Sequence, residues 1–468
     1  MEDTSTRIPD EATLRFVLEH RDADVRSLAL RGVPAGVDLH AALTQIEGHQ
    51  LARHKLPTWS QTEGILWPVR LSLEQCSSDI TAAYKRQLVA RLLASQTPPS
   101  PSFPSPPSPL SSPSSSPCAR CVRNGSSFAD LTAGFGVDFA ALAPLFAHAT
   151  YVEQQASLCA LARHNFPLLG LKQAEIRHAT AEEVLQERIT AERQTQSRTD
   201  SALPAQYDTV SAPPYTLLLL DPARRDAAGR KVALLEDCTP NVVVLKEQLL
   251  TAARHVLLKL SPMLDITAAV NALAPVTEVH VVAVGGECKE LLVVMGNHLS
   301  SAEEWSLSKV PIHCVDLTVT SPCNSDLASP LIFTRSEEAS SPLPLASALG
   351  PYLFEPNAAL LKAGAYRLLC QRYGVEKLAP STHLYTSDHP VPDFPGRQWH
   401  VVASTTFSKR ELRAFLTRIP AADLTTRGFP LSAEQLRHQL HLRAGGGAHL
   451  VATTLADGKR VLCQVERC

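Results

Sequence analysis

The chain has 468 residues, a formal net charge of −2 and 44% hydrophobic residues, enough for two to four domains with cores of their own. No apolar run approaches the length that spans a bilayer, and a near-neutral balance gives no global attraction to nucleic acid. Eleven cysteines, an odd number scattered along the chain, suit a reducing cytoplasm better than a disulfide framework, and the charged, helical N-terminal stretch lacks the apolar centre of a signal peptide.

Residues 1–96 read as a helical domain. Leu14, Val17 and Leu18 recur at helical spacing, as do Val25, Leu28 and Leu30, and the pattern resumes from Val37 to Gln50. Ser72-Leu73-Glu74-Gln75 has the form of a capping box, and Ser78-Asp79 is placed to cap the next helix, which carries Ile80, Tyr84 and Leu88. Trp59 and Trp67 read as core anchors rather than base-stacking platforms. Residues 97–120 are a linker: within 97–117, nine prolines and nine serines leave three other residues, too little apolar surface to fold. Cys118-Ala119-Arg120-Cys121 supplies half of a zinc site at most, so no metal is expected.

From residue 121 to 297 strands and helices alternate. A short apolar approach ends at Asp130, a turn carries Gly134 and Gly136, a helix runs on through Phe139–Phe146, and a second strand closes on Tyr151-Val152-Glu153. Strand, glycine turn, helix, strand, acid is the first unit of a nucleotide-type site, with the acid placed for ribose hydroxyls. A helix covering Ala160–Phe166 stops at Gly170, Glu175–His178 forms a third strand, and Thr180 opens a helix. Residues 190–214 read as a loop insertion. Tyr215–Leu220 is a buried strand stopping at Asp221-Pro222; a helix reaches Arg254, His255–Leu260 is another strand, and Ile266–Leu273 another helix. Glu278–Val284 and Glu290–Met295 form a hairpin through Gly285-Gly286-Glu287-Cys288-Lys289. This order predicts an α/β, doubly wound sheet.

Residues 298–397 form a connecting region, with strand pieces at His313–Thr318 and Leu331–Thr334 and a helix over 355–373. Pro356 is expected in the first turn of that helix, with Leu360, Leu361, Tyr366 and Leu369 on its buried side. Residues 398–468 then give strand, helix, strand, helix and two strands, a small α+β module. Between Ser408 and Arg443 seven basic residues face three acidic ones, and Arg410, Arg413 and Arg427 are the candidate phosphate contacts.

The central site lacks the third glycine of a dinucleotide fingerprint, Phe139 standing there, and the chain has no P-loop. What remains, D-x-x-x-G-x-G, then an acid, then a strand ending in Asp-Pro-x-Arg, resembles the S-adenosylmethionine pocket of class I methyltransferases. The blocks KLPTWSQTEGILWP, DLTAGFGVDFAALA, DPARRDAAGRKVALLEDC, KLSPMLDI and FEPNAALLKAGAYRLL are similar to the bacterial family of such enzymes that carries a C-terminal THUMP-like domain and a ferredoxin-like segment. The resemblance covers nearly the whole chain except 97–117 and 190–214. It implies a Rossmann-like fold and S-adenosylmethionine as cofactor, with Asp130, Thr132, Gly134 and Gly136 under the methionine moiety, Glu153 at the ribose and Thr180 near the adenine, where relatives have an acid. Ala133 stands where many relatives have glycine.

Asp221-Pro222-Ala223-Arg224 occupies the place of the (D/N)PP(Y/F) motif of amine-directed nucleic-acid methyltransferases. There the acid accepts hydrogen bonds from the target amine, and Arg224 or Arg225 replaces the stacking aromatic, or Arg224 holds a phosphate. Cys238 and Cys288 are the candidates for a carbon-directed mechanism through a thiolate. Because THUMP domains serve tRNA-modifying enzymes, the resemblance also implies structured RNA, tRNA or rRNA, as partner. The competing classes are a protein or small-molecule methyltransferase and a non-catalytic binding module.

Overall fold

The computed structural model describes residues 8–94, 125–199, 215–223, 234–296, 305–317 and 330–468. The proline/serine linker, Cys118, Cys121, Arg224 and Arg225 lie outside the described residues. Contacts divide the chain into two compact units, the first holding Met1–Thr277 and Leu292–Trp305, the second Glu278–Leu291, Ser306–Thr318 and Ala328–Cys468.

The first unit opens with helices α1 (Glu11–His20), α2 (Val25–Arg31) and α3 (Leu39–Lys55). Each begins where an aspartate, Asp10, Asp24 or Asp38, accepts a hydrogen bond from an amide three residues on, satisfying one of the helix's unpaired donors. Phe16, Leu28, Ala42 and Ile46 form their shared core. Then follow α4 (Pro57–Ser60), α5 (Arg70–Gln75) and α6 (Asp79–Ala94). Ser72 lies inside α5, which has no side-chain cap, so the expected capping box is not formed. Ser78 does cap α6, accepting from the Thr81 amide at 3.4 Å.

Five parallel strands follow: β1 (Ser127–Asp130), β2 (His148–Glu153), β3 (Ala174–His178), β4 (Tyr215–Leu220) and β5 (Ala253–Leu260). Their order is β3-β2-β1-β4-β5, with parallel registers throughout. Parallel neighbours need long crossovers, and the crossover helices here include α7 (Val137–Leu142), α8 (Ala156–Leu168), α9 (Ala181–Thr199) and α10 (Val242–Ala252). Strand order reverses between β1 and β4, and the crevice beyond the carboxyl ends of two such strands is where open α/β sheets bind ligands. Two boundaries differ from expectation. Residues 190–199 continue α9, since Ala, Glu, Arg and Gln favour a helix, and Arg254 already belongs to β5.

Helix α11 (Ile266–Leu273) precedes β6 (Val276–Val284) and β7 (Glu287–Gly296), joined by Gly285 at φ 61° and Gly286 at φ 82°, the conformation a tight two-residue hairpin requires. In the second unit β6 pairs in parallel with β8 (Ile312–Leu317), which pairs antiparallel with β9 (Leu331–Phe333). Helix α12 (Arg335–Ser340) follows. The expected helix over 355–373 is instead three elements: β10 (Tyr352–Pro356), α13 (Ala358–Ala363) and α14 (Arg367–Tyr373). Pro356 ends the strand, Asn357 caps α13 by accepting from the Leu360 amide, and Gly364 at φ 75° stops it. Leu360 and Leu369 are buried as expected, whereas Leu361 and Tyr366 are half-buried.

The remaining elements are β11 (Glu376–Lys377), β12 (Tyr385–Ser387), β13 (Gly396–Thr406), α15 (Lys409–Leu416), β14 (Asp423–Thr426), α16 (Ala433–Gln439), β15 (His449–Thr454) and β16 (Arg460–Arg467). They build a seven-stranded sheet ordered β11-β12-β10-β13-β16-β15-β14. One core gathers Leu353, Trp399, Val451 and Cys463, another Leu424, Leu436, Leu450 and Leu462. Among the described residues no helix is long and apolar enough to cross a membrane.

Candidate functional site

The site is built on the turn between β1 and α7. Gly134 (φ 57°) and Gly136 (φ 91°) both adopt left-handed backbone, which side chains disfavour. At Gly136 space is short as well: a Cβ there would stand 2.8 Å from the Phe166 ring. Phe135, between the two glycines, is 3% exposed because Trp59 and Trp67 pack on it, with ring centroids at 4.8 and 6.0 Å. The two tryptophans are therefore core anchors, and what they anchor is the glycine turn.

Glu153, at the end of β2, closes this turn. One carboxylate oxygen accepts from the Gly134 amide at 2.9 Å and the other from the Gln155 amide at 2.8 Å. The Tyr151 hydroxyl donates to the Gly134 carbonyl. A carboxylate has about four lone-pair sites, so two bonds leave Glu153 capacity for ligand hydroxyls. Asp130, 2% exposed at the end of β1, accepts from the Thr132 amide at 3.2 Å. Its carboxyl is pushed well above the usual range by burial first, then by the neighbouring charges of Asp138 and Asp221. Thr132 turns its hydroxyl to the next strand, accepting from the Asp221 amide at 2.6 Å. The β1 turn and the segment after β4 are thus tied together.

Asp221 follows β4 directly, its side chain 41% exposed, and its carboxylate receives the Lys259 ammonium from β5. The adjoining backbone is fixed by two hydrogen bonds between Ala223 and Thr239, and Pro222 is buried. Lys259 also stands 3.7 Å from Asp138 in the first turn of α7, and Asp138 meets Lys85 of α6 at 3.1 Å. Ser77 donates to Asp138 at 2.6 Å. Burial would raise the Asp138 carboxyl, but the Lys85 and Lys259 ammoniums and the Ser77 hydroxyl outweigh it and hold the group below its ordinary value. The lysine side chains are 0% and 12% exposed, so their charges act through protein rather than solvent.

Four carboxyl groups, Asp130, Asp138, Glu153 and Asp221, thus surround the turn with two ammoniums among them. That donor set suits a cationic ligand with ribose hydroxyls, and the left-handed turn lets backbone come close to it. No local sequence pattern marks Ser77, Lys85 or Asp138. The one signal was Lys259, a charge set inside the apolar strand His255–Leu260.

Of the other expected residues, Thr180 lies just beyond β3, where the neighbouring Ala179 amide donates to the Glu153 carbonyl at 3.2 Å. Thr180 is the N-cap of α9, where its hydroxyl accepts from the Glu183 amide and the Glu183 carboxylate accepts from the Thr180 amide. Cys238 is buried and donates to the Leu234 carbonyl. Burial pushes the Cys288 thiol up to about 11, the opposite of what a thiolate nucleophile needs. In the second unit, Lys409, Arg410 and Arg413 are exposed on α15, whose Leu412, Phe415 and Leu416 face the core. Arg427 is held differently. Its guanidinium donates to Glu355, a carboxylate 5% exposed, which Arg397 also meets at 3.3 Å.

Residues 352–395 match a ferredoxin-like domain family and residues 396–467 a THUMP domain-like family. Over 99% of its length the chain is similar to a solved structure assigned as a methyltransferase, from Porphyromonas gingivalis W83. Identity is 32%, the TM-score is 0.74, and all of that chain is covered. It is also 24% identical, over 334 residues, to S-adenosylmethionine-dependent methyltransferases of two Mycobacterium tuberculosis strains, described as uncharacterised. That match takes in 70% of this chain and 77% of theirs.

Proposed function

Since the chain belongs to the family of class I S-adenosylmethionine-dependent methyltransferases with a THUMP-like C-terminal domain, we propose that it methylates a base amine of structured RNA, tRNA or rRNA, in the cytoplasm. The observation that carries this reading is Asp221: a half-exposed carboxylate at the end of β4, at the switch point of the sheet, fixed by Thr132 through its amide and by Lys259 through its side chain.

Bound at the turn, S-adenosylmethionine supplies a methyl group on a sulfonium, whose leaving thioether needs no acid. Glu153 would hold the ribose hydroxyls with its remaining lone pairs, and Asp130 would take the amino group. Asp221 would accept a hydrogen bond from an N–H of the target amine, which keeps the nitrogen lone pair directed at the methyl carbon; as the nitrogen–carbon bond forms and the sulfur–carbon bond breaks, that proton passes to the Asp221 carboxylate. Positioning of this kind is what a transfer with a good leaving group demands. Lys259 pairs with the Asp221 carboxylate and restricts its rotamers. Pro222 stiffens the segment, and its carbonyl is the second acceptor the motif implies.

RNA as acceptor is supported by the exposed cations of α15 and by the THUMP-like match of residues 396–467. The test is transfer of labelled methyl from S-adenosylmethionine to total RNA, with the acceptor mapped, for the parent and for Arg413→Gln and Arg427→Gln. Arg413→Gln is expected to weaken RNA association and lower its salt dependence by about one charge. Arg427→Gln leaves Glu355 buried without its guanidinium, so its main effect is on stability. Methyl transfer to protein or small molecules but not to RNA would refute the assignment.

A further inference from the structure

Among the described residues, one cluster of side chains has the spacing of a metal-ligand set: Glu278 and His280 on β6 and His313 on β8. The strands create it. β6 and β8 run parallel with His280 opposite His313, and Glu278, two residues before His280, shares its face because side chains alternate along a strand. His313 lies too far along the sequence from Glu278 and His280 for any motif to show, and only the pairing register joins it to them.

The geometry is that of a chelate. His280 Nε2 lies 3.5 Å from one Glu278 oxygen and His313 Nε2 lies 3.4 Å from the other, and one ligand atom from each of the three falls within 4.8 Å of the others. Bonds of about 2.0–2.1 Å in a tetrahedral arrangement set ligand atoms roughly 3.3 Å apart; each imidazole stands near that distance from its own carboxylate oxygen, and a set of one atom from each residue falls within 4.8 Å. The imidazoles are stacked at 4.2 Å with planes 22° apart, so ion capture turns their ring nitrogens toward one another. The side chains are 1%, 9% and 9% exposed, which closes the site to substrates and makes its role structural. Two imidazole nitrogens and one carboxylate oxygen favour a borderline metal over calcium or magnesium, which take oxygen sets.

We propose that Glu278, His280 and His313 bind one zinc ion, which clamps β6 to β8. Binding of an ion to the folded form alone would stabilise this part of the second unit by mass action.

The experiment uses the full chain without an affinity tag, stripped with EDTA and titrated with zinc chloride by calorimetry, with bound metal counted by elemental analysis. One zinc per chain is expected for the parent and for a Cys118→Ser, Cys121→Ser variant, and none for His280→Gln or His313→Gln. Glu278→Gln, close in volume to the native residue, serves where a histidine variant does not fold. The cobalt-loaded parent is expected to show ligand-field bands without a thiolate-to-metal charge-transfer band. No zinc uptake by the parent, a zinc ion lost with the cysteines and kept without the histidines, or a thiolate band in the cobalt form would each overturn the proposal.

Discussion

Alanine at Gly136 tests how the cofactor turn is held. At φ 91° an L side chain is strained, a cost of about 1–2 kcal/mol. The added Cβ would also stand 2.8 and 2.9 Å from two carbons of the Phe166 ring. That ring cannot step aside: it is 1% exposed, stacked on Phe139 at 5.1 Å and set edge-on to Tyr151 at 5.3 Å. Overpacking adds about 1–3 kcal/mol, so Gly136→Ala should cost about 2–5 kcal/mol in all. Gly134→Ala is the control, since nothing lies within 4 Å of its Cβ position at φ 57°, leaving the backbone cost of about 1–2 kcal/mol. Urea unfolding followed by tryptophan fluorescence includes the site, because two of the four tryptophans, Trp59 and Trp67, pack on Phe135. Combining Gly136→Ala with Phe166→Leu should cost less than the two changes summed, the signature of a relieved overlap in a double-mutant cycle. If Gly136→Ala costs no more than Gly134→Ala, or if the two changes simply add, crowding by Phe166 is not what makes Gly136 necessary.

Lys85→Met should destabilise the first unit by about 3–5 kcal/mol by leaving the buried Asp138 short of a counter-charge, and the double variant with Asp138→Leu should recover most of that loss in the same unfolding assay. Asp130→Asn addresses pH. Because the folded-state pKa of Asp130 is raised, the folded protein holds that proton more tightly than the unfolded chain does. The parent therefore loses stability as pH rises from the unfolded pKa through the folded one, and the asparagine variant does not. Thermal unfolding without cofactor, from roughly pH 4 to pH 8, should show the variant gaining on the parent as pH rises, and a constant difference would refute the raised pKa. Cofactor binding by the same variant should weaken, which separates the electrostatic cost of the carboxyl from its use.

Much of this protein was legible locally. The glycine turn, the acid ending β2, the strand stop at Asp221 and the helix of residues 266–273 all follow from patterns that neighbouring residues impose on one another. The errors are local too. The helix expected over 355–373 failed because its apolar spacing also fits a strand followed by two short helices, and Gly364 with Asn357 decided between them. Residues 190–199 looked like a loop by composition, yet helical propensity carried α9 through them.

By itself, the sequence determined that a cofactor turn exists and which strand ends face it, because positive φ, strand alternation and helix caps are properties of short segments. Only the tertiary structure decided what surrounds that turn. Lys85, Asp138 and Lys259 come from three distant elements and meet because burial of one charge demands another beside it. Arg427, which the sequence offered to RNA, is drawn to Glu355 for the same reason. The pairing of β6 with β8 places His280 beside His313, a juxtaposition that depends on strand register and on nothing written in either segment alone.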